Sequence, residues 1–166
     1  MLTSLPRVDA PTPLRPLKAL SREDRIINQA TGILERRMFA NGPHLLGLEA
    51  AKDYLHLMLA PEPSEVFAVV FLTSQHQVIT CETLFRGTID TTTVHPRVVI
   101  QRSLVHNAAA IIVAHQHPSG CSEPSASDQA LTKRLRTALD CVDVTLLDHL
   151  IIGKGEPFSF AATALL

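Results

Sequence analysis

Seven consecutive apolar residues, Val66-Phe67-Ala68-Val69-Val70-Phe71-Leu72, constrain the fold of this chain more than any other feature. A run of this length without polar alternation reads as a strand buried on both faces. Ala109 to Ala114 has the same character and reads as a buried central strand. A sheet of this kind must be covered by helices, and the flanking segments supply them.

Ser21 followed by Asp24 resembles a capping box, and Ile26, Ile27, Ala30, Ile33, Leu34 and Met38 recur at helical spacing up to Asn41-Gly42. After Pro43, the positions Leu48, Ala51, Leu55, Met58 and Leu59 repeat the pattern until Pro61 and Pro63 end it. His76 to Thr83 reads as the hairpin partner of the first strand. Pro96 to His106 begins with a proline suited to a first helical turn, and Pro124 to Leu139 sets Leu131, Leu135, Ala138 and Leu139 on one face. Val142 to Ile152 is rich in β-formers and stops at Gly153. This order predicts a mixed sheet with helices packed on it, an α/β or α+β domain.

Pro6, Pro11, Pro13 and Pro16 lack amide donors, so residues 1–20 are expected to form a flexible proline-rich tail, followed by N-terminal helices over 21–60 and the main domain over 61–166. A chain of 166 residues, 46% apolar and 19% charged, has ordinary globular composition and the size of one domain. The formal net charge of -1 gives no electrostatic ground for an obligatory nucleic-acid or anionic-membrane partner. Cys81, Cys121 and Cys141 are widely spaced, which suggests neither a disulfide framework nor a thiolate zinc site and fits a reducing cytosol. No stretch has the length of a signal peptide or membrane span, so a cytoplasmic location is expected.

The chemistry concentrates in Ala114-His115-Gln116-His117-Pro118-Ser119-Gly120, where a buried strand runs into a loop. Residues i and i+2 of an extended segment point to one side, so His115 and His117 can present both imidazoles to one point. A catalytic zinc takes three protein ligands and leaves a position for water; Asp128, in the first turn of the next helix, is the natural third. Ser125-x-x-Asp128 is also a capping box, and the two roles are compatible because one carboxylate oxygen can serve each. The spacing H-x-H-x7-S-x2-D specifies four residues, on the order of one chance match per thousand chains of this length. Cys121 lies between the ligands in sequence, but nothing else recommends it.

A carboxylate must take the proton of the attacking water and pass it to the leaving amine. Glu65, immediately before the first buried strand, and Glu82, at the end of the second, both qualify, and position alone does not choose between them. Ser125 could donate to the developing oxyanion. Asp148-His149 could orient a ligand histidine or form a core-edge pair, the second being favoured. His44, His56, His76, His95 and His106 are scattered and receive no role.

His115, His117, Ser125 and Asp128 resemble the JAB/MPN (JAMM) metalloprotease signature, and the wider context resembles the RadC-like branch of that superfamily. The resemblance is carried by Glu65-Val66-Phe67, Leu84-Phe85-Arg86-Gly87-Thr88, Val94-His95-Pro96-Arg97, Asn107-Ala108-Ala109, His115 to Gly120, Pro124-Ser125 and Asp148-His149-Leu150-Ile151, over about residues 60 to 166. It implies a cytidine-deaminase-like α-β-α sandwich, with one zinc ion held by His115, His117 and Asp128. It also implies that Glu65 is the base and that Ser125 stabilises the oxyanion. Gln116 replaces the Asn usual between the histidines, Thr73 stands for the usual Asp or Asn, and Val98 replaces Glu after Pro-Arg.

The expected function is therefore that of a zinc-dependent metallopeptidase or isopeptidase-like hydrolase, in which a zinc-bound water activated by Glu65 attacks an amide bond of an unassigned peptide or protein. The alternative is a DNA-repair or mobile-element accessory protein that uses the domain as a binding module. Longer RadC-like proteins carry a helix-hairpin-helix region, and residues 1–60 look too short and too rich in proline to supply it, so DNA binding is not carried over. A barrel-type metal hydrolase with H-x-H at a strand end is disfavoured, because that fold needs about 250 residues.

Overall fold

A computed structural model describes residues 21–39, 44–87 and 93–166. The expected tail over 1–20, the breaks at Asn41-Gly42 and Pro43, and Thr88 lie outside the described residues, as do the side chains of Met38 and Leu48. The elements are α1 (Arg22–Phe39), α2 (His44–Leu59), β1 (Val66–Leu72), β2 (Val78–Arg86), α3 (Pro96–Val105), β3 (Ala110–Gln116), α4 (Ala126–Asp140), β4 (Thr145–Ile152) and β5 (Phe158–Ser159).

The sheet runs β2-β1-β3-β4-β5, with β3 and β4 parallel and the other neighbours antiparallel. All seven residues of β1 and all seven of β3 are buried, as the uninterrupted apolar runs require. Alternation divides their side chains between two cores. Val66, Ala68, Val70 and Leu72 join Ala110, Ile112 and Ala114 against Ala51, Leu55 and Leu59 of α2. Phe67, Val69 and Phe71 join Ile111 and Val113 against Val99 of α3 and Leu135 and Leu139 of α4. The result is a helix-sheet-helix arrangement, the α/β layering expected, with a mixed sheet between its helices.

Helix α1 departs from expectation. Its N-terminus is capped as predicted, with Ser21 and Asp24 exchanging backbone-to-side-chain hydrogen bonds of 2.9 and 3.0 Å. Of its apolar stripe, however, Leu34 is buried while Ile26, Ile27 and Ile33 are exposed. The cause is placement: α1 lies along α2 and touches the edge strand β2, so it does not cover the sheet. Among the described residues, no helix is long and apolar enough to cross a membrane.

Two features of the sheet position the chemistry. Because β1 runs antiparallel to β3 and β4 runs parallel to it, the start of β1 meets the ends of β3 and β4 at one edge. A bulge then separates the pairs Ile111 with Leu146 and Ile112 with Asp148, leaving Leu147 as the extra residue of β4. Beyond it the facing of β4 is reversed, so that His149, opposite Val113, lies on the α4 side.

Candidate metal centre

His115 is the penultimate residue of β3 and His117 follows one residue beyond the strand, so extended geometry turns both imidazoles toward α4. Their Nε2 atoms stand 3.0 Å apart. Asp128, at the third position of α4, places Oδ1 3.1 Å from His115 Nε2 and Oδ2 3.5 Å from His117 Nε2. A tetrahedral zinc with ligand bonds of about 2.0–2.2 Å needs donors roughly 3.3 Å apart. Two imidazole nitrogens and a carboxylate oxygen at these separations fit that ion, and they form the candidate ligand group among the described residues.

The capping role expected of Asp128 is visible, and its carboxylate also faces both histidines. Ser125 caps α4: its N–H donates to Asp128 Oδ2 at 2.8 Å, its hydroxyl to the same oxygen at 2.6 Å, and the Asp128 N–H returns to Ser125 Oγ at 3.2 Å. Oδ2 carries the cap and Oδ1 is left facing the histidines. Burial by itself would push the Asp128 carboxyl up. The hydrogen bonds from His115 and Ser125, with the His115 charge, outweigh it and hold the group well below the usual carboxylate range, ready ionised for a cation.

Each histidine is held from behind. His117 Nδ1 lies 2.8 Å from the Cys121 carbonyl, an acceptor only, so Nδ1 donates there and Nε2 is the nitrogen turned toward Asp128. Cys121 thus serves through its backbone, and its thiol is no part of the ligand group. The loop is pinned to the end of β4 by the His117 N–H to Ile152 O and Lys154 N–H to Gly120 O bonds, of 2.9 and 2.8 Å. Gly153 is required there: a Cβ would stand 2.7 Å from both Gly120 O and Ser122 N. His115, only 2% exposed, stacks on Phe67 at 6.3 Å and meets His149 Nε2 through Nδ1 at 2.9 Å. His149 is enclosed by Phe160 at 4.8 Å, and this burial, with the charges of His115 and His117, holds its pKa down at about 3.

The bulge separates the two members of Asp148-His149. His149 touches His115, a candidate ligand, as the first of the two readings above required. Asp148 points elsewhere and secures the C-terminal segment, accepting from the His149 N–H at 2.8 Å, Ala161 N–H at 3.0 Å and Ser159 hydroxyl at 2.7 Å.

The sheet register also places the two candidate bases. Phe67 pairs with His115, so Glu65, two residues earlier on the same side, comes alongside His117. Glu65, both histidines, Ser125 and Asp128 line one cleft of about 870 Å³, with Phe67, Val94, Leu131 and Arg134 among its other walls. Glu82 pairs with Val69 farther along the sheet, where the Arg102 guanidinium grips both its oxygens and His106 Nε2 stands at 2.8 Å. These partners, Arg102 foremost, hold the Glu82 carboxyl below its ordinary pKa, and it is absent from the cleft wall.

Two residues of the site had no role in the sequence reading. Gln116, pointing to the α2 side, is 2% exposed and accepts the Val66 N–H at 2.7 Å, while its amide donates to the carbonyls of Ser64 and Glu62. It clamps the segment carrying Glu65 to the strand carrying the histidines. Thr132 is buried against His149, Oγ1 to Nδ1, at 2.6 Å. Its signal was its spacing, one helical turn after Asp128 on the same face.

A family model described as a RadC-like JAB domain matches residues 46–165, from within α2 to the penultimate residue. A UPF0758 protein of Pseudomonas fluorescens is 58% identical over 113 residues, which cover 68% of this chain and 50% of its own length. A UPF0758 protein of Halorhodospira halophila is 54% identical over 125 residues, 75% of this chain and 56% of its own. One of Leptothrix cholodnii is 46% identical over 160 residues, 94% of this chain and 72% of its own. The chain spans about half the length of the first two of these relatives.

Proposed function

The chain belongs to the RadC-like JAB domain family, and from that premise we propose that it is a zinc-dependent hydrolase of amide bonds in peptide or protein substrates. The observation that carries this reading is the convergence of His115 Nε2, His117 Nε2 and Asp128 Oδ1 beside a carboxylate, Glu65, in an open cleft. Zinc bound by those three residues supplies Lewis acidity, polarising a carbonyl and bringing the pKa of water to about 7.

The chain's own groups do the rest. Glu65 takes a proton from the attacking water as its oxygen bonds to the carbonyl carbon, then delivers that proton to the amide nitrogen as the C–N bond breaks. Ser125 stands on the cleft wall. Turned from Asp128 toward the cleft, its hydroxyl would donate to the oxyanion, a contribution of about 3 kcal/mol in comparable sites. Phe67, Val94 and Leu131 offer apolar contact to side chains of a bound peptide and limit water around the reacting carbonyl.

The test is hydrolysis of a peptide library by zinc-loaded wild type beside Glu65→Gln. Wild type is expected to cleave, and Glu65→Gln to bind zinc equally while losing roughly 10²–10⁴ in rate. A fully zinc-occupied wild type that cleaves nothing would withdraw the hydrolase reading in favour of a binding module.

A further inference from the structure

Thr132, His149 and His115 form a chain of hydrogen bonds whose direction is fixed at its far end. The Asp128 carbonyl can only accept, so the Thr132 hydroxyl, 2.7 Å away and one helical turn on, donates to it. Having one hydrogen, Thr132 Oγ1 must then accept from His149 Nδ1 at 2.6 Å. His149 is fully buried, and with Nδ1 committed as the donor to Thr132 its Nε2 is the acceptor for His115 Nδ1 at 2.9 Å. With His115 Nδ1 committed as the donor to His149, Nε2, 3.1 Å from Asp128 Oδ1, is the nitrogen left to exchange its hydrogen bond with that carboxylate for a metal.

We propose that Thr132 and His149 are positioning residues that select the His115 tautomer able to ligate through Nε2. The inference rests on the reading of His115, His117 and Asp128 as metal ligands. In it one residue of α4 acts twice: the Asp128 carboxylate is a ligand, and the Asp128 carbonyl sets the direction of every bond back to another ligand, His115. A histidine in contact with a ligand histidine is poorly defined by itself, because either ring nitrogen of each can hold the proton. The threonine removes that ambiguity, and Phe160 and Phe67 hold the His149 ring in place at 4.8 and 6.2 Å. Loss of such supporting contacts in other metal sites costs about 10–100-fold in affinity.

The test is ¹⁵N NMR of the ring nitrogens in metal-free wild type at mildly alkaline pH, together with zinc affinity by chelator competition for Thr132→Val and Thr132→Ser. The expected result is Nδ1-protonated rings for both His115 and His149. Thr132→Val should mix the His115 tautomers and weaken zinc about tenfold or more, and Thr132→Ser, which keeps the hydroxyl, should restore both. A His115 ring without a proton at Nδ1 in wild type overturns the proposal whatever the variants do, as does a folded Thr132→Val with wild-type ring protonation and affinity. If the wild type takes up no zinc, the metal reading fails, and the ring nitrogens still decide the relay.

Discussion

The side-chain carbonyl of Gln116 accepts the Val66 N–H at 2.7 Å, although the two residues stand 50 positions apart in the chain. This bond ties the first residue of β1, and therefore Glu65 beside it, to the end of β3 between His115 and His117. The residue between the two candidate ligands faces the opposite side of the sheet and supports the proposed base.

Gln116→Ala should therefore act on the base and leave the ligands alone. It strips a buried N–H of its partner, which costs about 1–3 kcal/mol and lowers the melting temperature. Zinc affinity, read by chelator competition, should stay within about threefold of wild type, well short of the 10–100-fold that supporting contacts to ligands are worth.

Ser125→Ala should move both quantities. It removes the helix cap, at about 1 kcal/mol, and one of the donors that hold the Asp128 carboxylate ionised. Denaturant melts should show the stability loss, and competition should show zinc binding weakened, because Asp128 then keeps its cap oxygen less well oriented.

The metal-free protein should lose stability as pH falls from about 6.5 toward about 3, because the His149 pKa is depressed from 6.5 to about 3 in the fold. In that window the unfolded chain binds a proton that the buried ring refuses, so the stability is complete above the unfolded value and declines below it. The loss is on the order of a few kcal/mol across the window. Urea titrations of wild type and His149→Phe at a series of pH values measure it, with a shallower pH slope expected in the variant.

Glu82→Gln separates the two carboxylates that sequence position could not. Glu82 is held by Arg102 and His106 on a part-exposed face, so its removal should cost at most about 1 kcal/mol. It should leave zinc affinity and any hydrolysis at wild-type levels, whereas Glu65→Gln should spare zinc and slow hydrolysis by roughly 10²–10⁴.

Much of this site was legible in the residues because it depends on local rules. The buried runs of β1 and β3 show as unbroken apolar sequence, His115 and His117 share a side by strand alternation, and Asp128 follows from the cap at Ser125. Longer-range features were not legible. Simple alternation along β4 from Leu146 puts Asp148, not His149, on the α4 side, and only the bulge at Leu147 reverses them. Choosing Glu65 over Glu82 by geometry needs the antiparallel register of β1 on β3, which no single strand encodes. The apolar stripe of α1 predicted burial correctly for Leu34 and not for Ile26, Ile27 or Ile33, since periodicity shows a face without showing what meets it.

Metal analysis of purified wild type beside folded His115→Ala and Asp128→Asn tests the central claim most directly. One zinc ion per wild-type chain, and almost none in either variant, is the predicted result. Full zinc occupancy in folded His115→Ala would contradict the assignment of the metal centre to His115, His117 and Asp128.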